Sequence, residues 1–177
     1  AGNYEEVLSG HKSSRSKASE IENAIKHHIK VNIEDDPEYY KNLSERLEDI
    51  IQKCDEKWDE LVQMLLNFRG NIESDHKKQA DDLGLSQTEL AFYNILVAEL
   101  GGTESVDEVT LEQVKDVVRD LVFMLDDASQ IVDFFSKTDA QKTVRKGIKH
   151  AIIKNFDESL VKPITERFME LAETKFK

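Results

Sequence analysis

From Pro37 onward a single helical period runs unbroken. Leu43, Leu47, Ile50, Cys54, Trp58, Leu61, Leu65, Phe68 and Ile72 take eight steps over 29 residues, about 3.6 residues per step. A strand, whose side chains alternate with period two, cannot keep such a row on one face. An unbroken helix of this extent is roughly 50 Å long at 1.5 Å per residue, enough to cross a domain. Trp58 and Leu61 lie mid-stripe and are expected at the heart of the core. Little in the chain interrupts helices: 177 residues contain two prolines and seven glycines, and 34% are charged. This length suits one domain with a sizeable core.

The remaining punctuation also reads as helical. Residues 9–18, SGHKSSRSKA, are small, polar and basic, so 1–18 is expected to be a linker and 19–177 the helical domain. A helix is expected from Ser19, with Glu22 completing a capping box and Ile21, Ala24, Ile25, Ile29 and Ile33 at helical spacing. Glu34-Asp35-Asp36-Pro37 ends it: a residue before proline avoids the helical region, and Asp36 can then cap a helix that starts at Pro37. Gly70-Asn71 is the expected bend or stop of the long helix, and the polar run 73–84 is expected to be frayed or looped.

Ser86-Gln87-Thr88-Glu89 is a second capping box, opening a helix that Gly101-Gly102 stops. Thr110 with Gln113 opens the next, through Val114, Val117, Val118, Leu121, Leu125 and Phe135. Thr138 or Asp139 caps a basic helix to about Asn155, and Pro163 marks the start of the last one. No segment alternates long enough for a strand. The expected fold is all-α: a bundle of five to seven helices, one of them very long.

Net charge is −12 but unevenly spread: residues 31–136 carry 26 acids against nine Lys and Arg, while 137–154 carry six Lys and Arg against Asp139 alone. An acidic chain repels phosphates at long range, yet a concentrated basic face can act within a Debye length of roughly 10 Å. No apolar run reaches bilayer length, so no membrane is expected as a partner. The single Cys54 fits a reducing cytoplasm. The opening Ala1, with no charged-then-apolar signal behind it, suggests a piece of something larger or removal of Met before a small residue.

Chemistry-bearing patterns are sparse. His27 and His28 point about 100° apart on a helix and cannot close a metal site alone, so one is expected to pack and the other to face solvent or a partner. Asp35-Asp36, Asp81-Asp82 and Asp126-Asp127 lack the sheet scaffold and nearby lysine of a metal-dependent nuclease. At helix starts such pairs favour the dipole instead. No phosphate-cradling GxxxxGK[ST] loop occurs. Cys54 and Met64, Met124 and Met169 read as core. No catalytic residue, metal or cofactor is expected within this chain.

The basic helix is the stronger signal. Lys142, Arg145, Lys146 and Lys149 fall within one arc of about 100°, with Lys137, His150 and Lys154 near its edges and Val144, Ile148, Ala151 and Ile152 opposite. Such a stripe can neutralise the chain's own acids, such as those of residues 104–127. It can equally contact phosphates or an acidic partner; without interleaved aromatics, base stacking is not expected. Lys12, Arg15 and Lys17 are the next basic candidates.

Three blocks carry a family resemblance: Ile25-Lys26-His27-His28-Ile29, Asp36-Pro37-Glu38-Tyr39-Tyr40 and Leu43-Ser44-Glu45-Arg46-Leu47, with weaker echoes at Leu90-Ala91-Phe92-Tyr93 and Arg145-Lys146-Gly147-Ile148-Lys149. They resemble the C-terminal helical region of the R (motor and nuclease) subunit of type I restriction–modification enzymes of the HindI-like group. The matching residues include His27, His28, Asp36, Pro37, Tyr39, Tyr40 and Arg46. In such subunits a nuclease domain and two motor lobes precede the helical region and use ATP and Mg2+; none of their motifs has a counterpart here. The resemblance implies a non-catalytic assembly domain that holds the motor on the methyltransferase (M) and specificity (S) subunits. The remainder of the R subunit and double-stranded DNA are further implied partners. The alternative is a self-standing helical interaction module that never meets DNA.

Overall fold

A computed structural model describes residues 13–177. Among them are seven α-helices and no strand: α1 (Ser14–Asn32), α2 (Pro37–Lys53), α3 (Trp58–Leu83), α4 (Gln87–Glu99), α5 (Glu108–Ser129), α6 (Thr138–Asn155) and α7 (Val161–Phe176). Short 3-10 turns precede α5, α6 and α7. The described residues form two compact units: residues 13–33 with 39–78, and residues 34–38 with 79–177.

In the first unit, Ala18, Ile25 and Ile29 of α1 pack with Leu43 and Leu47 of α2 and Leu61, Leu65, Phe68 and Ile72 of α3. Helix α1 begins five residues before the expected Ser19, because Ser13 caps it by accepting from the Ser16 N–H at 3.2 Å. Residues 1–12 of the expected linker, Lys12 included, lie outside the described residues. The helix expected to run unbroken from Pro37 is two helices. The chain turns at residues 54–57, where Glu56 takes φ of 57° and the Lys57 N–H closes on the Cys54 carbonyl at 2.9 Å. Asp59 and Glu60 then sit in the first turn of α3, where the dipole favours them.

The apolar stripe survives this break, but not at every position. Leu61 is buried, whereas Trp58 is 36% exposed, with the Arg15 guanidinium 5.4 Å from its ring. Met64, expected in the core, is also exposed; Met169 is buried and Met124 half-buried. Helix α3 passes straight through Gly70 and the polar run 73–83, because Ile72, His76 and Ala80 are buried one turn apart. It stops at Gly84, whose φ of +66° suits a residue without a Cβ. There the Leu85 N–H reaches the Ala80 carbonyl and the Gly84 N–H that of Asp81.

The second unit is a four-helix bundle in which α4 packs on α5 and α7, and α6 on α5 and α7. Helix α4 is buried around most of its circumference, with Leu90 to Val97 all buried except Asn94. Its expected capping box is present: Ser86 Oγ accepts from the Glu89 N–H at 3.0 Å, and Glu89 accepts from the Ser86 N–H at 2.9 Å. Phe92 meets Phe168 of α7 edge-on at 5.0 Å. Helix α5 starts two residues before Thr110, because Asp107 caps it by accepting from the Thr110 N–H at 2.7 Å. It ends at Ser129, so Phe135 belongs to the following turn. Thr138 is the first residue of α6 rather than its cap.

Candidate functional site

Helix α6 presents its basic face as its periodicity requires. Val144, Ile148 and Ile152 are buried in the second unit's core, which turns Lys142, Arg145, Lys146 and Lys149 outward. Gly147 lets α6 approach α5 closely: a Cβ there would lie 2.5 Å from Met124 Sδ.

The cations divide into two sets. Arg145 donates to Glu166 of α7 at 2.8 Å, and Lys142 pairs with Asp139 at 3.3 Å one turn earlier. The counter-charges therefore come from α6 and α7, not from residues 104–127. Lys146, Lys149 and Lys154 are exposed and, among the described residues, form no ion pair. Lys146, His150 and Lys154 stand one turn apart along a groove of about 500 Å³, whose floor is Val117, Gly147 and Ala151. Among the described residues Asp120 is the one carboxylate that lines it, and Asn155, which also lines it, accepts from the Gln113 amide at 2.9 Å. Such a groove can take an anionic group between two lysines, Lys146 and Lys154, set about 12 Å apart by eight residues of helical rise.

The residues that carried the resemblance serve packing and bracing. In the first unit, Tyr39 donates from its hydroxyl to the Ile72 carbonyl at 2.6 Å and stacks on His76 at 4.1 Å. Burial pushes the Tyr39 phenol well above the ordinary tyrosine range. Tyr40 meets His76 and His28 edge-on at 6.0 and 6.1 Å, and His28 Nε2 lies 2.9 Å from Glu73. His27 is exposed and His28 half-buried, so neither packs in the core, contrary to the expectation for one of the pair. Arg46 lies over the Phe68 ring at 5.3 Å.

In the second unit, the acid-acid-proline segment is held by α4 and α7. Asp36 is fully buried and accepts from Asn94. Arg167 of α7 binds both Glu38 and Glu99, and Lys175 pairs with Asp35 at 3.5 Å. Burial alone would lower the Arg167 pKa, but the two carboxylates outweigh it and the net shift is upward. His76, Asn94 and Arg167 were not singled out by sequence. The spacing of Ile72, His76 and Ala80 is the one signal that could have found His76.

The paired acids do not converge. Only Asp35-Asp36 precedes a helix start; Asp81-Asp82 and Asp126-Asp127 lie in the last turns of α3 and α5, where the dipole disfavours them. Among the described residues, no three His, Cys, Asp or Glu side chains gather as a metal set. Cys54 is buried, its thiol 3.1 Å from Met64 Sδ. No helix among the described residues is long and apolar enough to cross a membrane.

Residues 3–177 match the family described as type I restriction enzyme HindI endonuclease subunit-like, C-terminal, and the chain belongs to that family. It is 26% identical over 149 residues to a protein of Methanocaldococcus jannaschii named as the MjaIXP endonuclease subunit of a type I restriction enzyme. That match covers 81% of this chain but 14% of the relative. No solved structure matches the chain.

Proposed function

We propose that this chain is the non-catalytic assembly domain of an R subunit. It docks the motor on the methyltransferase–specificity core and lays the cationic face of α6 along the backbone of double-stranded DNA. ATP-dependent translocation and Mg2+-dependent cleavage then belong to the remainder of the subunit, in a cytoplasmic complex. The observation that carries the DNA contact is that Lys146, Lys149 and Lys154 face outward, in no ion pair among the described residues, on a helix whose other side is buried. Lysines on a row at helical pitch can follow phosphates without reading bases, so the contact is indifferent to sequence.

Exchanging Lys146, Lys149 and Lys154 for Gln in the whole subunit tests the DNA contact. Three lost phosphate contacts should make the plot of log K against log salt shallower by about 3 for non-specific duplex. An unchanged slope refutes the contact, with Arg15 and Lys17 the next candidates. Sedimentation of the whole subunit with the purified methyltransferase–specificity core tests docking. Magnesium-dependent plasmid cleavage by this chain alone, lost in Asp35→Ala or Asp126→Ala, would overturn the non-catalytic assignment. The second reading, an interaction module that never meets DNA, is favoured by the Arg145–Glu166 and Lys142–Asp139 pairs, which show part of the stripe acting as internal counter-charge.

A further inference from the structure

The groove of about 500 Å³ between α5 and α6 carries charges of both signs. Gly147 faces Met124, and Asn155 accepts from Gln113 at 2.9 Å, so the two helices run antiparallel. Asp120 lies between these two contacts, close to the level of His150, with Lys146 and Lys154 to either side of it. Among the described residues none of Asp120, Lys146 and Lys154 forms an ion pair. Opposite charges thus line one groove without closing on each other.

Each lining group narrows what can enter. Two ammonium groups repel a cation, and a ligand anionic along its whole length would meet Asp120. A wholly apolar ligand would strip water from three charges. The complement is a molecule with an anionic group at one end and neutral donors, hydroxyls, beside it. The groove holds no arginine fork for a carboxylate, whereas a lysine serves a phosphate as a point charge. Val117, Gly147 and Ala151 offer an apolar bed for the C–H face of a ring.

The two ends of the groove differ. Lys154 and Asn155 occupy the last turn of α6, where the negative end of the dipole works against an anion, so the phosphate belongs at Lys146. Asn155 is held on both sides: its Oδ1 accepts from Gln113, and its Nδ2 donates to the Ala151 carbonyl at 2.8 Å. One N–H remains for a ligand oxygen. A donor already fixed in place loses little freedom on binding.

We propose that this groove binds a phosphorylated sugar. Lys146 holds the phosphate, Asp120 accepts from the sugar hydroxyls, Asn155 donates to a further oxygen, and the ring lies on Val117 and Ala151. A volume of this order falls within the usual range of small-molecule sites, roughly 300–1,000 Å³. A free sugar phosphate and the 5′-phosphate end of a ribonucleotide share this chemistry. The proposal goes beyond the duplex contact, which needs neither Asp120 nor Asn155.

The test is titration of the 177-residue chain with ribose 5-phosphate and, as control, inorganic phosphate, followed by calorimetry and by amide NMR shifts. Ribose 5-phosphate should bind roughly tenfold more tightly than inorganic phosphate, with shifts centred on Gly147, Ala151 and Asn155. Lys146→Gln should weaken it roughly tenfold, Lys154→Gln less, and Lys149→Gln, outside the groove, not at all. Asp120→Ala should bring ribose 5-phosphate down to the level of inorganic phosphate, which itself binds as well or better. All four positions are exposed, so helix content should not change. Adenosine 5′-monophosphate binding more tightly than ribose 5-phosphate assigns the ligand to nucleotides, and equal binding assigns it to free sugar phosphates; both keep the site. Ribose 5-phosphate binding no tighter than inorganic phosphate, shifts outside the groove, or equal strengthening of both probes in Asp120→Ala overturns the proposal. If the sugar phosphate binds as stated while the lysine exchanges leave the duplex salt slope unchanged, only the DNA reading falls.

Discussion

Asn94 donates from its one amide nitrogen to both carboxylate oxygens of Asp36, at 3.1 and 3.4 Å, across 58 residues of sequence. The acceptor is fully buried. A buried carboxylate stripped of a donor costs far more than an exposed one, because water cannot replace the lost bond. The Asp-Pro step is thereby tied to the most buried helix of the bundle.

Asn94→Ala should lower stability by about 1–3 kcal/mol in urea unfolding, the range for leaving a buried polar group short of a partner. Asp36→Asn should cost less than Asp36→Ala, since an amide keeps one acceptor oxygen. No measurable loss in Asn94→Ala would show that the other contacts of Asp36 suffice.

Leu61→Ala should cost about 2–5 kcal/mol, the usual range for emptying a closed leucine site. Trp58→Ala, three residues away on the same stripe, should cost less than Leu61→Ala for each buried Å² removed, since the ring is 36% exposed and the Arg15 cation–π contact lies at the surface. No loss in Leu61→Ala would mean that its site is not closed.

Gly70 sits mid-helix in α3, and apart from its chain neighbours and its own helix backbone no atom lies within 4 Å of where a Cβ would stand. Gly70→Ala should therefore stabilise by about 0.5–1 kcal/mol through helix propensity. At Gly147 the same exchange presses on Met124, so its gain should be smaller or reversed. Thermal melts of the two variants side by side separate the cases.

The N-cap hydrogen bonds from Thr110 depress the Asp107 carboxyl below its ordinary value of 3.8. A folded-state pKa below the unfolded one means that its contribution is present above about pH 4 and is lost as pH falls through the depressed value. Asp107→Asn should flatten the acid limb of the stability curve without removing the cap. An unaltered acid limb in urea melts from pH 5 to pH 2 would contradict the assignment.

The break at residues 54–57 left no mark in the sequence because neither Gly nor Pro occupies it, and the apolar period runs on through Cys54. Glu56 takes the left-handed conformation instead. The run 73–83 looked like a loop for the opposite reason: its inward residue, His76, is polar yet buried against Tyr39.

What the sequence by itself determined is what one or two turns of backbone decide. The Ser86 capping box, the stop at Gly101, the Asp36-Pro37 helix start and the sidedness of α6 all depend on neighbours three or four residues away. Only the tertiary structure decided that Asp36 meets Asn94, that Arg145 pairs with Glu166 while Lys146 and Lys149 form no ion pair among the described residues, and that Phe123 remains exposed. Those outcomes depend on which distant side chains the bundle brings within a few ångströms. A helical period fixes which side of a helix a residue occupies, and packing alone fixes what stands opposite it.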